Sequence, residues 1–502
     1  MADLRLICSL ALIVCGTSVP QLQAARPHIL LAISDDHSFP HAGAYGDQGV
    51  RTPAFDQIAR RGVLFQNAFA ASPGCSPSRA ALLTGRNTWE LEHAGTHASS
   101  FSDKFAVYPD LLEQAGYFVG YTGKGWGPGN FRDGGRTRNP AGPSFQRHKR
   151  RVRSGVSSTN YSANFADFLE QRPDERPFCF WFGCHEPHRS YARGSGQAAG
   201  KTLASASVPA FLPDNPEIRS DILDYYLEIE WFDQQLAQMI KQLQQQNLLE
   251  NTLVIVTGDN GMPFPRAKAN CYEFGIHVPL AVQWPGTVPG GRVVTDLIGF
   301  SDIAPTLLEA ADLSVPKSMT GRSFLDVLKS NNQATVDASR TAVFSARERH
   351  SSSRHQNWTY PIRAMRTQRY LYIRNFRPQR WPAGHPAGFG KDRFGYYDID
   401  GCPTKTWLID HRAAPVGRRF FELAVGRRPA EELYAVEDPG NLRNLIDDPE
   451  HAESLSTLRD RFTQYLKQTG DPRVLDGGEI YETYKRYSRI RSFPAPTADE
   501  PQ

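Results

Sequence analysis

The chain has 502 residues, of which 40% are hydrophobic, 11% aromatic and 22% charged, a balance that excludes a disordered, fibrous or membrane-spanning protein. The length admits one large domain with an appendage, or two to three domains. Lys and Arg (57) barely outnumber Asp and Glu (53), and a net charge of +4 is too small to argue for nucleic acid or a membrane surface as partner.

At the start, Arg5 precedes an apolar run from Leu6 to Gly16 that is too short to span a bilayer, and Pro20, Ala24 and Ala25 follow it. This predicts a signal peptide over 1–25, removed on export to a periplasmic, extracellular or lysosome-like compartment. A lipoprotein cleavage box at Leu12 to Gly16 is the alternative, against which stands the bulky Val14. Removal of the signal reduces the seven cysteines to Cys75, Cys179, Cys184, Cys271 and Cys402, an odd number that leaves at least one thiol unpaired or modified.

From residue 26 onward, apolar runs alternate with helical stretches, the grammar of an α/β domain with a largely parallel sheet. Strands are predicted at His28 to Ser34, Tyr117 to Thr122, Pro177 to Gly183, Thr252 to Thr257 and Val278 to Gln283, each apolar enough for burial on both faces. A helix beginning near Pro77 follows a loop carrying Cys75. The longest helix starts near Pro216, with Ile222, Tyr225, Tyr226, Ile229, Phe232, Leu236, Met239, Ile240 and Leu243 at three- and four-residue spacing. Between Gln146 and Arg153 lie six basic residues, read either as a solvated loop or as a patch attracting a sulfated polysaccharide. Past about Ala338 come short strands (Ala342 to Ser345, Tyr370 to Ile373), Arg- and Pro-rich loops and a late helix from Pro449 to Gln468. The predicted division is an N-terminal domain over 26–338, a smaller α+β subdomain over 339–490 and a tail over 491–502.

Several polar groups directly follow predicted strands, where open α/β sheets place their sites. Asp35-Asp36 follow the first strand and Asp259-Asn260 follow the strand at Thr252. Either pair alone reads as a turn or helix cap. Together they offer carboxylate and amide oxygens, which select a hard cation, Ca²⁺ or Mg²⁺, over zinc. Lys124, His185 and His188 also follow strands and are expected at the same sheet edge, Lys124 as a point charge and His185 as a proton donor.

Residues 75–86 fit the pattern C-x-P-S-R-x-x-x-L-T-G-R in full. This resembles the signature of the sulfatase family, and the resemblance covers about residues 28–472. It implies an alkaline-phosphatase-like α/β fold with a C-terminal subdomain closing the pocket. It also implies conversion of Cys75 to Cα-formylglycine by a maturation enzyme, and a hydrated aldehyde that attacks sulfur to give a covalent sulfate ester and then expels sulfate by collapse to the carbonyl. By position, the implied metal ligands are Asp35, Asp36, residue 75, Asp259 and Asn260, and the implied sulfate pocket is Arg79, Lys124, His185 and Lys268. Five protein oxygens favour Ca²⁺ over Mg²⁺.

Within the family, the segments around Phe264-Pro265, Pro213 to Pro216, His185 to Arg189, Thr320 to Ser323 and Tyr360 to Arg363 look like the sulfamidase branch, the N-sulfoglucosamine sulfohydrolases. The implied substrate is a sulfated glycan bearing an N-sulfated terminal glucosamine. An O-sulfated polysaccharide, or a phosphoester or phosphonate, are the alternatives within the superfamily, and an inactive glycan-binding protein is the alternative outside enzymes. His188, Glu348 and Arg363 are expected to contact the sugar.

One position departs from that branch, which has histidine two places after the active-site lysine to help deprotonate the formylglycine hydroxyl. This chain reads Lys124-Gly125-Trp126. Indole is only a donor and cannot take the proton. His37, next to Asp35-Asp36, is the candidate replacement base, the alternative being an exposed His37 with metal-bound Asp36 or solvent taking the proton, and Trp126 is expected to stack on the sugar.

Overall fold

The computed structural model describes residues 26–388 and 395–496. The predicted signal peptide and the end of the predicted tail lie outside the described residues. Seven strands form the central sheet: β1 (His28–Ser34), β2 (Val63–Phe69), β3 (Phe118–Gly123), β4 (Phe178–Gly183), β5 (Thr252–Gly258), β6 (Leu280–Gln283) and β7 (Arg292–Gly299). Their order is β3-β4-β1-β5-β6-β2-β7. All pairs are parallel except those of β6, which runs antiparallel to both β5 and β2. The fold is the alkaline-phosphatase-like α/β architecture, with a mostly parallel sheet between helices.

Alternation along β1 explains the layers. Leu30 and Ala32 face Phe165 and Phe168 of the helix Tyr161–Gln171 and Phe232, Leu236 and Met239 of the helix Pro216–Gln245. Ile29, Leu31 and Ile33 face the opposite layer, with Ala80 to Leu83 and Leu307-Leu308. Every residue of β1 is therefore buried, which requires the run of apolar side chains seen in the sequence. The long helix starts where Pro216 sits at its first turn and the Asn215 side chain accepts from the amides of Glu217 and Ile218.

Two strands of this sheet, β2 and β7, are absent from the sequence reading. Gln66 and Asn67 interrupt β2 at a register shift, and β7 is an edge strand carrying Arg292, Thr295 and Asp296, so neither has the continuous apolar signal of its neighbours.

A second, antiparallel sheet holds β8 (Val343–Arg347), β9 (Ile362–Arg366), β10 (Tyr370–Asn375) and β11 (Glu431–Ala435) in the order β11-β10-β9-β8. One face (Ile362, Ala364, Leu371, Ile373) packs on Phe69, Tyr272 and Ile276 of the first layer system. The other (Met365, Tyr370, Tyr372) is covered by Leu455, Leu458, Phe462 and Leu466 of the helix Ala452–Gln468. Burial of both faces ties this sheet firmly to the larger unit. No helix among the described residues is long and apolar enough to cross a membrane.

Candidate active site

The strands β3, β4, β1 and β5 are consecutive neighbours and parallel, so their carboxyl ends share one edge. Lys124, His185, Asp35-Asp36 and Asp259-Asn260 leave that edge together. The helix Cys75–Thr84 enters beneath them, its ten residues all buried and its N-terminus at residue 75. A helix N-terminus presents unpaired N–H groups and partial positive charge, suited to an anion.

Carboxylate oxygens of Asp35, Asp36 and Asp259 lie within 4.8 Å of one another. The Asp36 amide donates to Asp259 Oδ1 (2.9 Å), and Asn260 Nδ2 donates to Asp36 Oδ1 (2.8 Å) and to the Gly261 carbonyl (3.0 Å). The amide oxygen of Asn260 and Asp35 Oδ1 are both buried without a hydrogen-bond partner. Asp36 is held at φ +70°, a strained conformation for a non-glycine residue. Burial and the neighbouring Asp35 raise the Asp259 carboxyl to about 6, against the pull of Arg79 and Lys124. Three converging carboxylates and two orphaned buried oxygens fit a hard divalent cation.

Three cations face these acids. Arg79 donates from Nε to Asp259 Oδ2 (2.7 Å) and from Nη1 to the carbonyls of Lys124 (2.7 Å) and Gly125 (3.1 Å), which leaves Nη2 without a hydrogen-bond acceptor, 4.0 Å from Asp35. Lys124 Nζ lies 2.6 Å from Asp35 Oδ2, and Lys268 Nζ 2.6 Å from Asp36 Oδ2. Burial opposes the charge on both lysines, but the carboxylates beside them hold both pKa values above the ordinary range. Burial would likewise raise the Asp35 carboxyl, yet Lys124, His188, Arg79 and Lys268 hold it well below the usual range. Burial pushes the Cys75 thiol far up, so the unmodified side chain is a thiol rather than a thiolate nucleophile.

Beside this cluster opens a cavity of about 730 Å³ lined by Asp35, Lys124, Ser157, His185, Glu186 and His188. His185 presents an exposed edge to it, while the packed atoms around the ring push its pKa down to about 4; Lys124 and Arg79 add to the fall and Asp35 opposes it. His188 Nε2 is 3.8 Å from Asp36 Oδ2, and a His188 ring nitrogen lies within 4.8 Å of Cys75 Sγ.

Four expectations are corrected. His37 engages both ring nitrogens, Nδ1 with Ser34 Oγ (3.0 Å) and Nε2 with the His41 carbonyl (2.8 Å), so no nitrogen is free to serve residue 75. Trp126 is not a sugar platform: it is buried in the core against Phe101, and its Nε1 donates to the Ser76 carbonyl (3.0 Å), bracing the signature helix. Arg363 and Glu348 pair with each other (2.7 Å), Arg363 further binds Asp471 and Glu348 binds Arg473, all inside the C-terminal subdomain. A buried network already satisfies these groups, which removes them from the sugar.

The sequence reading missed Asp400, which accepts from Lys268 (3.1 Å), and His97 and His350, whose rings lie 4.4 Å apart beside Gly74. No local motif marks them: Asp400 and His350 come from loops far along the chain, and His97 from a loop soon after the helix Cys75–Thr84 that carries no distinguishing pattern. The basic stretch at 146–153 is largely paired: Arg147 with Asp167 (2.6 Å), Arg153 with Glu228 (3.0 Å) and Arg150 over the Trp231 ring.

Comparison with known proteins agrees with this geometry. Residues 27–313 match the family model described as Sulfatase, and residues 266–382 match that of N-sulphoglucosamine sulphohydrolase, C-terminal. The human N-sulphoglucosamine sulphohydrolase is 29% identical over 495 residues, 90% of this chain and 92% of that protein. An ulvan-active sulfatase of Formosa agariphila is 26% identical over 510 residues, 91% of this chain and 77% of that one. Among solved structures, one in complex with its substrate D-glucosamine-2-N,6-O-disulfate superposes with a TM-score of 0.64 at 19% identity, covering 89% of this chain and 98% of that chain, which speaks to the fold. The first match spans more than half of the 502 residues and contains Cys75, Arg79, Lys124, His185 and both oxygen-ligand pairs: the chain belongs to the sulfatase family.

Proposed function

We propose that this sulfatase removes the N-linked sulfate from a terminal N-sulfated glucosamine of a sulfated glycan, outside the cytoplasm. The observation that carries the sulfate chemistry is the charge arrangement around residue 75. Asp35, Asp36 and Asp259 balance Arg79, Lys124 and Lys268 one for one, so these side chains alone have no surplus positive charge to hold a sulfate. A divalent cation, Ca²⁺ in preference to Mg²⁺, held by Asp35, Asp36, Asp259, Asn260 and residue 75, supplies that surplus. Maturation of Cys75 to formylglycine supplies the hydrated aldehyde that serves as nucleophile.

The remaining chemistry belongs to the chain's own side chains. Lys124 and Lys268 flank the carboxylates as point charges and bind sulfate oxygens, and the free Nη2 of Arg79 orients residue 75. His185, exposed to the cavity, delivers a proton to the leaving nitrogen. Its low pKa in the free protein rises when a sulfate anion arrives beside it, so substrate itself loads the acid. Preference for the N-sulfated sugar is supported by similarity to the human sulphohydrolase along nearly the whole of both chains.

The test is desulfation of N-sulfoglucosamine beside 6-O-sulfoglucosamine, an ulvan oligosaccharide and aryl sulfate and phosphate, with peptide mass spectrometry at position 75. Fastest turnover of the N-sulfated sugar and an aldehyde or its hydrate at residue 75 are expected. Preference for an O-sulfate would move the assignment to another sulfated polysaccharide. Faster aryl phosphate turnover, or full activity of Cys75→Ala, would overturn it.

A further inference from the structure

Attack on sulfur by a hydrated aldehyde requires a base, and the histidine expected two places after Lys124 is a buried tryptophan. His37 is engaged at both nitrogens. His185 faces the leaving group. His188 binds the Arg189 carbonyl through Nδ1 (2.6 Å) and turns its other nitrogen toward Asp36, a metal ligand in this reading. Two further imidazoles lie against Gly74, the residue before 75.

His97 and His350 are each at least nine-tenths buried, 9% and 7% exposed, and the Nδ1 of each has no hydrogen-bond partner. Their rings are 4.4 Å apart, inclined at 37°. Both lie against Gly74, the N-cap of the helix that begins at Cys75: a β-carbon at Gly74 would stand 3.1 Å from His350 Nδ1 and 3.8 Å from His97 Cδ2. Glycine at 74 thus leaves the space the pair occupies.

The pair is held rigidly. The segment carrying His350 wraps around Asp398, which binds Arg347, Arg354 (2.7 Å), the Ser351 amide (2.7 Å) and Ser353 Oγ (2.5 Å). Arg486 donates to the backbone carbonyls of both His350 (2.7 Å) and His97 (3.5 Å), clamping the two loops together. The Ala98 amide donates to Ser76 Oγ (3.1 Å), which ties the His97 loop to the signature helix. Such bracing is what a group positioned for proton transfer requires. The charges facing the pair are Lys268 for both rings, Lys124 and Arg486 for His97, and Asp398, Asp400 and Arg347 for His350. Burial, with Lys268 adding to it, lowers the pKa of both rings, so both are neutral in the free protein.

We propose that His350, backed by His97, is the base for residue 75 in this chain. The inference rests on the reading of residue 75 as formylglycine. His350 takes the proton from one hydroxyl of the hydrated residue. The electron pair left on that oxygen forms the bond to sulfur, the bond from sulfur to the sugar nitrogen breaks, and its electrons take the proton of His185. His185, now neutral, takes the proton of the second hydroxyl as the carbonyl re-forms and the bond from carbon to the sulfate oxygen breaks. The proton on His350 passes to solvent and water restores the hydrate.

The test uses matured, full-length enzyme with His350→Gln, His350→Ala and His97→Gln, each assayed for formylglycine and bound metal before kinetics. His350→Gln is expected to lower kcat by about a hundredfold or more, the scale of a lost general base, with KM changed only a fewfold. The loss should be as large on an aryl sulfate as on N-sulfoglucosamine, whereas the loss in His185→Ala should shrink with the better leaving group. Added imidazole should restore part of the rate to His350→Ala. Independently of turnover, the imidazole ¹⁵N resonances of His350 should differ between matured protein and Cys75→Ala. His350→Gln and His97→Gln both within a fewfold of wild type, with full metal and formylglycine, would overturn the assignment, as would identical ¹⁵N resonances in the two proteins. Wild-type enzyme without turnover on either sulfate would instead sink the sulfate-hydrolase reading on which it rests.

Discussion

Arg79 shows how one side chain organises the site. Its guanidinium spends three donors on Asp259 and on the carbonyls of Lys124 and Gly125, and so fixes the ends of β3 and β5 relative to the signature helix. Lysine carries the charge without the fork. Asp259 receives the Arg79 bond on Oδ2 and the Asp36 amide on Oδ1, and burial raises its pKa. Asp259→Ala should therefore lose both bound metal and turnover, measured by elemental analysis of the purified variant, and retention of a full metal equivalent would contradict the ligand set. Arg363 makes the contrasting case. It is fully buried between Asp471 and Glu348, and its removal leaves the buried Asp471 carboxylate without its guanidinium partner while Glu348 keeps Arg473. Arg363→Leu should cost about 3–5 kcal/mol of stability, while KM at a temperature where the variant is folded stays near wild type. A raised KM with unchanged stability would restore Arg363 to the sugar site.

The element that decides reactivity is the helix Cys75–Thr84. All ten of its residues are buried, so its register admits little change and residue 75 is delivered to one place. At its far end Gly85 adopts φ +65° and its amide donates to the Ala81 carbonyl, closing the helix in a left-handed cap. A β-carbon there would meet Met319 Sδ at 2.9 Å in addition to the backbone strain. Gly85→Ala should destabilise by about 1 kcal/mol or more, read as a lowered melting temperature. At the helix start, the space opposite Gly74 is filled by His350 from the other sheet's unit, so Gly74→Ala is expected to displace that ring. The strands behave differently from the helix. Three of those that carry the site, β1, β4 and β5, are central and buried throughout, while β3 brings Lys124 from one edge; β2 and β7 carry polar residues at a register shift and at the other edge.

For the whole molecule, the site is shared between the two sheets' units. Asp400 and His350 come from the C-terminal portion and meet Lys268 and Gly74 from the larger one. The buried face of the second sheet holds that apposition, each fully buried large apolar side chain contributing about 1.5–3 kcal/mol. The fold also carries a pH dependence. His28 stacks on Phe178 (4.5 Å between ring centroids), accepts the Phe178 amide on Nδ1, and has its pKa lowered by burial and Arg172 from 6.5 to about 4. The folded state favours the neutral ring, so the unfolded chain binds more protons between those values. The stability His28 contributes is complete above about 6.5 and is lost as pH falls toward 4. A melting series over that range should show wild type losing more stability than His28→Phe, which keeps the stacking but does not titrate. An equal loss would remove His28 as a contributor.

Much of the chemistry was legible in the sequence because it is carried by local patterns. The strands β1, β4 and β5 announce themselves by runs of apolar residues, and the groups directly after them are bound to emerge at one sheet edge. That is why Asp35, Asp36, Lys124, His185, Asp259 and Asn260 converge as expected, with the signature helix beneath them. Whether a side chain near the site reaches it is decided by packing, which local sequence does not encode. His37 is adjacent to two converging aspartates yet turns to Ser34 and His41. Trp126 is two residues from Lys124 yet is buried under the helix, and Arg363 is consumed by Asp471 and Glu348. Conversely, Asp400 and His350 join the site from loops hundreds of residues further along the chain, through contacts that exist only once the antiparallel sheet is packed against the parallel one, while His97 comes from a nearby loop that the Ala98 amide ties to Ser76.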